Sequence, residues 1–404
     1  MGLARKALAE GRPFAEMVEY HPQCWHCIHP SFLEDQLARS LARLGLGALD
    51  VYLLHNPEYY FSDLAQRKLG GEIEAARAEF YRRCQEAFAW MERQVDAGRL
   101  RWYGVSSNTF GHTPGHPEFV SLERLLAAAS AAAQQVRGRG AASHFAVAQC
   151  PLNLYEAGPA LEPNQSGGRT FLDLAAAQGV GVLVNRPLNA IRGGKLTRLA
   201  GAPPLRAGWA EGLEQALSRQ EALERDFAAR FRPTIANRLP ADAGPLDPFH
   251  WSDAFRDLPD GLRQPEEWSN ALQGGIFPQI ERNAQAVMGL LESDARRQEF
   301  SAWFRDFAIA VETSGALVAE GLASHQEEAG KAVQARLVPR LPEASHGLPL
   351  SQQALQVALS TPGVTCVLNG VRRPRYVDDS LGALALPLLP PATAIEVLRA
   401  MAEG

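Results

Sequence analysis

The chain has 404 residues, 46% hydrophobic and 21% charged, enough apolar material for one large domain or two ordinary ones. Its 40 Lys and Arg against 45 Asp and Glu leave a net charge of −5, which excludes a basic surplus for nucleic-acid phosphates. No apolar run nears the roughly 18 residues of a membrane span.

The amino-terminal MGLARKALAEGRPF lacks the apolar centre of a signal peptide, and Lys6 stands where a myristoylation motif has Ser or Thr. Five cysteines without a pairing pattern fit a reducing interior, so the expected compartment is the cytoplasm. Residues 21–30 read HPQCWHCIHP and crowd His21, Cys24, His26, Cys27 and His29 together. A structural zinc site would take a second ligand pair from elsewhere, yet Cys84, Cys150 and Cys366 stand alone. Haem attachment wants His directly after the second Cys, where Ile28 stands. A redox pair belongs at a helix start, and the next helix begins later. No metal site is expected, and the stretch reads as a loop feeding a helix.

That helix opens with Ser31 and Glu34 at capping-box spacing. Leu33, Leu37, Leu41 and Leu44 repeat at helical period, and Gly45 and Gly47 end it. DVYLLH (50–55) follows as an apolar strand broken by NPE. Ile73, Ala76, Phe80, Cys84, Phe88 and Met91 mark a helix over 72–98 that Gly98 closes. The alternation continues with a strand at 101–108, a helix at 121–135, a strand at 144–153, a helix at 171–179 and a strand at 180–188. Near the carboxyl terminus a helix at 351–363 precedes a strand at 364–370, and a last helix follows Pro374.

Apolar strands alternating with amphipathic helices predict a parallel sheet covered by helices. Each strand ends in polar residues, His55 and Asn56, Ser106 to Asn108, Gln149, Asn185 and Arg186, Asn369 and Arg372. That pattern suits the carboxyl-terminal rim of a (β/α)8 TIM barrel. Residues 201–345 interrupt it with stripes such as Leu213, Leu217, Phe227 and Phe231, then Phe300, Phe304, Phe307, Val311 and Val318. They read as a helical insertion, packing on the barrel or serving as a lid. The expected division is a partial barrel over 1–200, the insertion over 201–345, and the last strand and helix over 346–404.

Five segments in order resemble the aldo-keto reductases. SLARLGLGALDVYLLHNPE is similar to the family's fourth strand with its preceding helix, GRLRWYGVSSN to the fifth strand and FAVAQCPLNL to the sixth. GVGVLVNRPL is similar to the seventh, and STPGVTCVLNGVRRPRYVDDSLGAL to the eighth with the cofactor-binding helix. The resemblance implies an incomplete TIM barrel, strands four to eight, reducing a carbonyl (aldehyde, ketone or sugar) with NADPH. His55 matches the catalytic histidine that orients the carbonyl. Ser106, Ser107, Asn108 and Gln149 match the nicotinamide carboxamide ligands, and Arg186 joins the cofactor set. Gly193, Gly194 and Lys195 fall in a loop covering the pyrophosphate, and Arg372 and Arg373 are placed for the 2′-phosphate.

Two positions depart from the pattern. Asn185 replaces the aromatic residue that stacks on nicotinamide, and Ser380 replaces an Asn that reads adenine. The three earlier strands, with the family's Asp, Tyr and Lys, have no counterpart; Tyr20 and Lys6 lie in unmatched contexts. Two readings follow: a longer parent that is an ordinary reductase, which the retained residues favour, or a catalytically inactive cofactor-binding or protein-interaction remnant. The remnant would have an open sheet edge, to be covered by the insertion or by self-association with a second subunit.

Overall fold

The computed structural model describes residues 14–21, 24–67, 72–192, 195–201, 205–235, 248–258, 265–371 and 374–403. The chain divides into two compact units, Met1–Leu199 with Val333–Gly404, and Ala200–Ala332.

In the first unit, β1 (Val18–His21) and β2 (Cys24–His26) form an antiparallel hairpin. This corrects the expected loop. The Glu19 N–H donates to Asp63 Oδ1 at 2.9 Å, and Gln66 donates to the Tyr20 carbonyl at 2.6 Å, so partners more than forty residues away hold a pair too short to show a period. The helix Pro30–Leu44 is capped by His29, whose ring accepts from the Ser31 N–H, rather than by the expected Ser31–Glu34 box. Glu34 instead pairs with Arg99 at 2.8 Å. The other end is as the sequence predicts, with Gly45 at φ 66°.

The central sheet contains β3 (Leu49–His55), β4 (Leu100–Ser106), β5 (Phe145–Pro151) and β6 (Gly181–Asn185). A hairpin of β7 (Asn189–Arg192) and β8 (Lys195–Arg198) follows, and the two-residue β9 (Cys366–Val367) completes the sheet. The order is β3-β4-β5-β6-β9, and every pairing is parallel. Helices Ile73–Asp96, Leu122–Arg137, Phe171–Ala177 and Leu350–Ser360 alternate with the strands.

Period-2 alternation separates the two faces of the sheet. Leu54, Tyr103, Val105, Ala148, Cys150, Val182 and Val184 are buried, with Phe88 of the 73–96 helix packed on Tyr103 and Phe145. On the opposite face the neighbours Val51 and Trp102 are 39% and 45% exposed. Two boundaries differ from the sequence reading, because β6 stops at Asn185 and β9 is far shorter than 364–370. Two helices, Pro374–Leu384 and Pro391–Ala402, follow β9 where one was expected, since Pro390 and Pro391 cannot continue a hydrogen-bonded turn.

Polar ties span this layer. Glu92, fully buried, accepts from Tyr103 Oη at 2.7 Å, Arg137 Nη1 at 2.6 Å, His144 Nδ1 at 2.7 Å and the His144 N–H at 2.9 Å. Burial opposes its ionisation, but these donors outweigh burial and hold the carboxyl below its ordinary value. Gly104 sits at an irregularity in the β4–β5 register, and a Cβ there would lie 1.7 Å from the Val147 carbonyl oxygen.

The second unit is helical, with Trp209–Arg230, Phe277–Leu290 and most of Asp294–Leu337 as its long elements. Leu217, Phe227, Phe231, Phe300, Phe307, Val311 and Val318 of the predicted stripes are buried in one cluster, with Leu213 and Phe304 packed on it. The helix beginning at Asp294 is long and apolar enough to cross a membrane by length and composition, which corrects the reading that no such segment exists. Its Phe300, Trp303 and Phe307 are at most 4% exposed within an aromatic core, the pattern of a core helix.

Candidate active site

Parallel pairing brings the carboxyl-terminal ends of all five strands to one edge. There His55 pairs in register with Ser106, Ser106 with Gln149, and Gln149 with Leu183, so three predicted residues form one row across β3, β4 and β5. His55 is exposed, Ser106 is buried and Gln149 is half-buried. Partial burial lowers the His55 pKa, which favours the neutral imidazole.

The segment after His55 is tightly built. Asn56 takes φ 49°, a left-handed conformation that asparagine tolerates better than most residues. Its N–H donates to the Ser106 carbonyl at 2.7 Å, and its side chain donates to Tyr59 Oη at 2.8 Å. Tyr59 stacks on Tyr20 with ring centroids 3.9 Å apart. His26 donates its ring N–H to the His55 carbonyl at 2.6 Å. Burial pushes the His26 pKa down to about 4, so the ring is neutral at ordinary pH. The HPQCWHCIHP stretch thus supplies a hydrogen bond beneath His55. Cys27 donates to the Ala15 carbonyl at 3.3 Å, and among the described residues no group of three or more His, Cys, Asp or Glu could hold a metal ion.

Beyond β4, the Ser107 hydroxyl lies 3.1 Å from that of Thr109 and accepts from the Thr109 N–H at 3.2 Å. The Asn108 N–H donates to Glu58 Oε1 at 2.8 Å. At the end of β6, the Asn185 Oδ1 is buried without a hydrogen-bond partner. Arg186, at φ 53°, donates to Glu156 Oε1 at 2.6 Å, and Glu156 Oε2 accepts from the Ile191 N–H of β7 at 2.9 Å. This clamp ties the β5 and β6 ends to the β7–β8 hairpin and commits the guanidinium predicted to meet cofactor.

Gly193, Gly194, Arg372 and Arg373 lie outside the described residues, as do Lys6 and the Lys195 side chain. Their neighbours do meet: the Arg198 guanidinium of β8 stands 5.9 Å from the centre of the Tyr376 ring, at the start of the helix after β9. Strand β8 and the helix after β9 are therefore neighbours at that point. Ser380 accepts from Asn369 at 2.7 Å and donates to the Tyr376 carbonyl at 2.6 Å. Both line a cleft of about 160 Å³ with Leu355, Val367, Val377 and Leu384.

Sequence reasoning missed Glu58, Tyr59 and Glu156, and placed Asn56 at the rim without its contacts. NPE was read only as a strand breaker, and no period marks a residue whose role is set by a partner fifty positions away.

Fold and site define an α/β protein with a parallel sheet whose strand ends carry a histidine and amide row. Residues 21–114 match the family model described as Aldo/keto reductase family. No curated protein matches the chain. Among solved structures, it is similar to the holo form of aldo-keto reductase AKR11C1 from Bacillus halodurans at 14% identity and TM-score 0.38, over 93% of this chain and 68% of that one. The thermostable aldo-keto reductase Tm1743 with the inhibitor epalrestat is similar at 12% identity and TM-score 0.36, over 93% and 67%.

Proposed function

We propose that this protein is an NADPH-dependent reductase of small carbonyl compounds (aldehydes, ketones or sugars), with the row His55–Ser106–Gln149 at its centre. The observation that carries the reading is the register itself, which sets an exposed imidazole beside a hydroxyl and a half-buried amide on three adjacent strand ends. The imidazole, neutral because burial lowers its pKa, donates a hydrogen bond to the substrate carbonyl oxygen and orients it. NADPH, when bound, supplies the hydride.

Gln149, with its donor and acceptor, fits a planar carboxamide, and the orphaned buried Asn185 Oδ1 on β6 fits an N–H donor. The reading assigns the phosphates to the β7–β8 hairpin and the helix after β9, with Gly193, Gly194, Lys195, Arg372 and Arg373 as their ligands. All five cysteines are free thiols, which supports a cytoplasmic setting. Self-association through the edge strand β3 or β9 belongs to the same reading.

A second reading, a nucleotide-binding protein without turnover, is favoured by Tyr59, whose pKa is raised by burial even though the bond from Asn56 works in the opposite direction, making it a poor proton donor. Fluorescence titration with NADPH and turnover of a carbonyl panel separate the two. Binding and turnover are expected, with turnover lost in His55→Ala while binding persists. Binding without turnover selects the second reading, and no binding refutes both.

A further inference from the structure

Glu58 is 2% exposed and lies three residues past His55, at the rim of the sheet. One carboxyl oxygen accepts from the Asn108 N–H at 2.8 Å; the other is buried with no hydrogen-bond partner. This contact joins the turn after β3 to the turn after β4, the segment carrying Ser107 and Asn108. We propose that Glu58 is a positioning residue that sets the Ser107–Asn108 turn through the Asn108 N–H and thereby makes nucleotide binding depend on pH. The inference rests on the reductase reading, because it assigns nucleotide to that turn.

The surroundings make the carboxyl a switch. It faces the Cys84 thiol of the 73–96 helix, the Tyr59 phenol, the Ser107 hydroxyl and the Glu118 carboxylate, all neutral or acidic groups. Glu118 in turn faces His112, whose ring lies against that of His116. Burial, reinforced by Glu118, pushes the Glu58 carboxyl up to about 7, while the Asn108 N–H and the Ser107 hydroxyl work in the opposite direction. Below that value the neutral acid accepts weakly from Asn108. Above it the N–H meets a carboxylate, and the charge-assisted bond holds the turn more firmly. Nucleotide should therefore bind more tightly at pH 8 than at pH 6.

The test compares wild type with Glu58→Gln, which keeps an acceptor for the Asn108 N–H but cannot titrate. NADP⁺ binding is measured by calorimetry at both pH values. Wild type is expected to bind about fivefold tighter at pH 8, relative to the variant's own change. The variant subtracts titration of the nucleotide phosphate and of neighbouring histidines, which both proteins share. In protein labelled with ¹⁵N-asparagine, the Asn108 amide resonance is expected to titrate with a midpoint near 7 in wild type and not in the variant. Equal pH dependence of binding in the two proteins, or an Asn108 amide that does not titrate, overturns the inference. Wild type that binds no NADP⁺ at either pH overturns the reductase reading and, with it, the coupling to nucleotide; the amide titration then reports on the turn alone.

Discussion

Glu92→Gln tests whether polar ties or apolar packing alone hold the helical layer to the sheet. The carboxylate takes four donors between 2.6 and 2.9 Å, from a strand (Tyr103), a neighbouring helix (Arg137) and the residue before β5 (His144, twice). Glutamine keeps one acceptor oxygen and turns an NH₂ group toward Arg137 or His144, replacing attraction with donor against donor. A charge-assisted bond contributes about 1.5–3 kcal/mol and a buried donor left unpaired costs about 1–3 kcal/mol. Arg137, 23% exposed, regains some hydration. The expected loss is about 2–4 kcal/mol for Glu92→Gln, and about 3–5 kcal/mol for Glu92→Ala, which strands the arginine.

The assay is urea unfolding at neutral pH and again at acid pH. Because the folded pKa of Glu92 lies below its unfolded value, its contribution is present above the unfolded pKa of about 4.3 and is lost as pH falls through the folded one. Wild type and variant should therefore converge in acid. A difference under about 0.5 kcal/mol at pH 7, or one unchanged in acid, would refute the argument, since surface substitutions alone fall within that range.

Three further outcomes are expected. His26, with its pKa lowered from 6.5 to about 4, should contribute stability that is present above pH 6.5 and lost as pH falls toward 4. After discounting for its partial exposure this is about 2 kcal/mol, and His26→Gln should flatten that limb of a melting-temperature profile. Gly104→Ala should cost more than about 3 kcal/mol, because the added methyl would overlap the Val147 carbonyl oxygen at 1.7 Å; a soluble, normally melting variant would contradict it. Glu156→Gln should free Arg186 and loosen the β7–β8 hairpin, read as faster amide hydrogen exchange over 189–198 with little change in β4, and unchanged exchange at the hairpin would count against the clamp.

The sequence by itself determined the layer architecture and the polar strand ends, because both are written in local pattern. Apolar, β-prone runs such as DVYLLH and HFAVAQC read as sheet strands, and glycines such as Gly45 end helices wherever the chain takes them. His55, Ser106 and Gln149 were legible as rim residues for the same reason, since each closes an apolar run. Their alignment was not legible. Register depends on hydrogen bonds between strands roughly fifty residues apart in the chain, and a slip of one residue would have turned them to the other face. The β1–β2 hairpin, the buried Glu58 beneath Asn108 and the Glu156 clamp on Arg186 were likewise decided only in three dimensions. Each consists of a short or single polar element whose energy comes from a partner dozens of positions away, and no periodicity records such a partner.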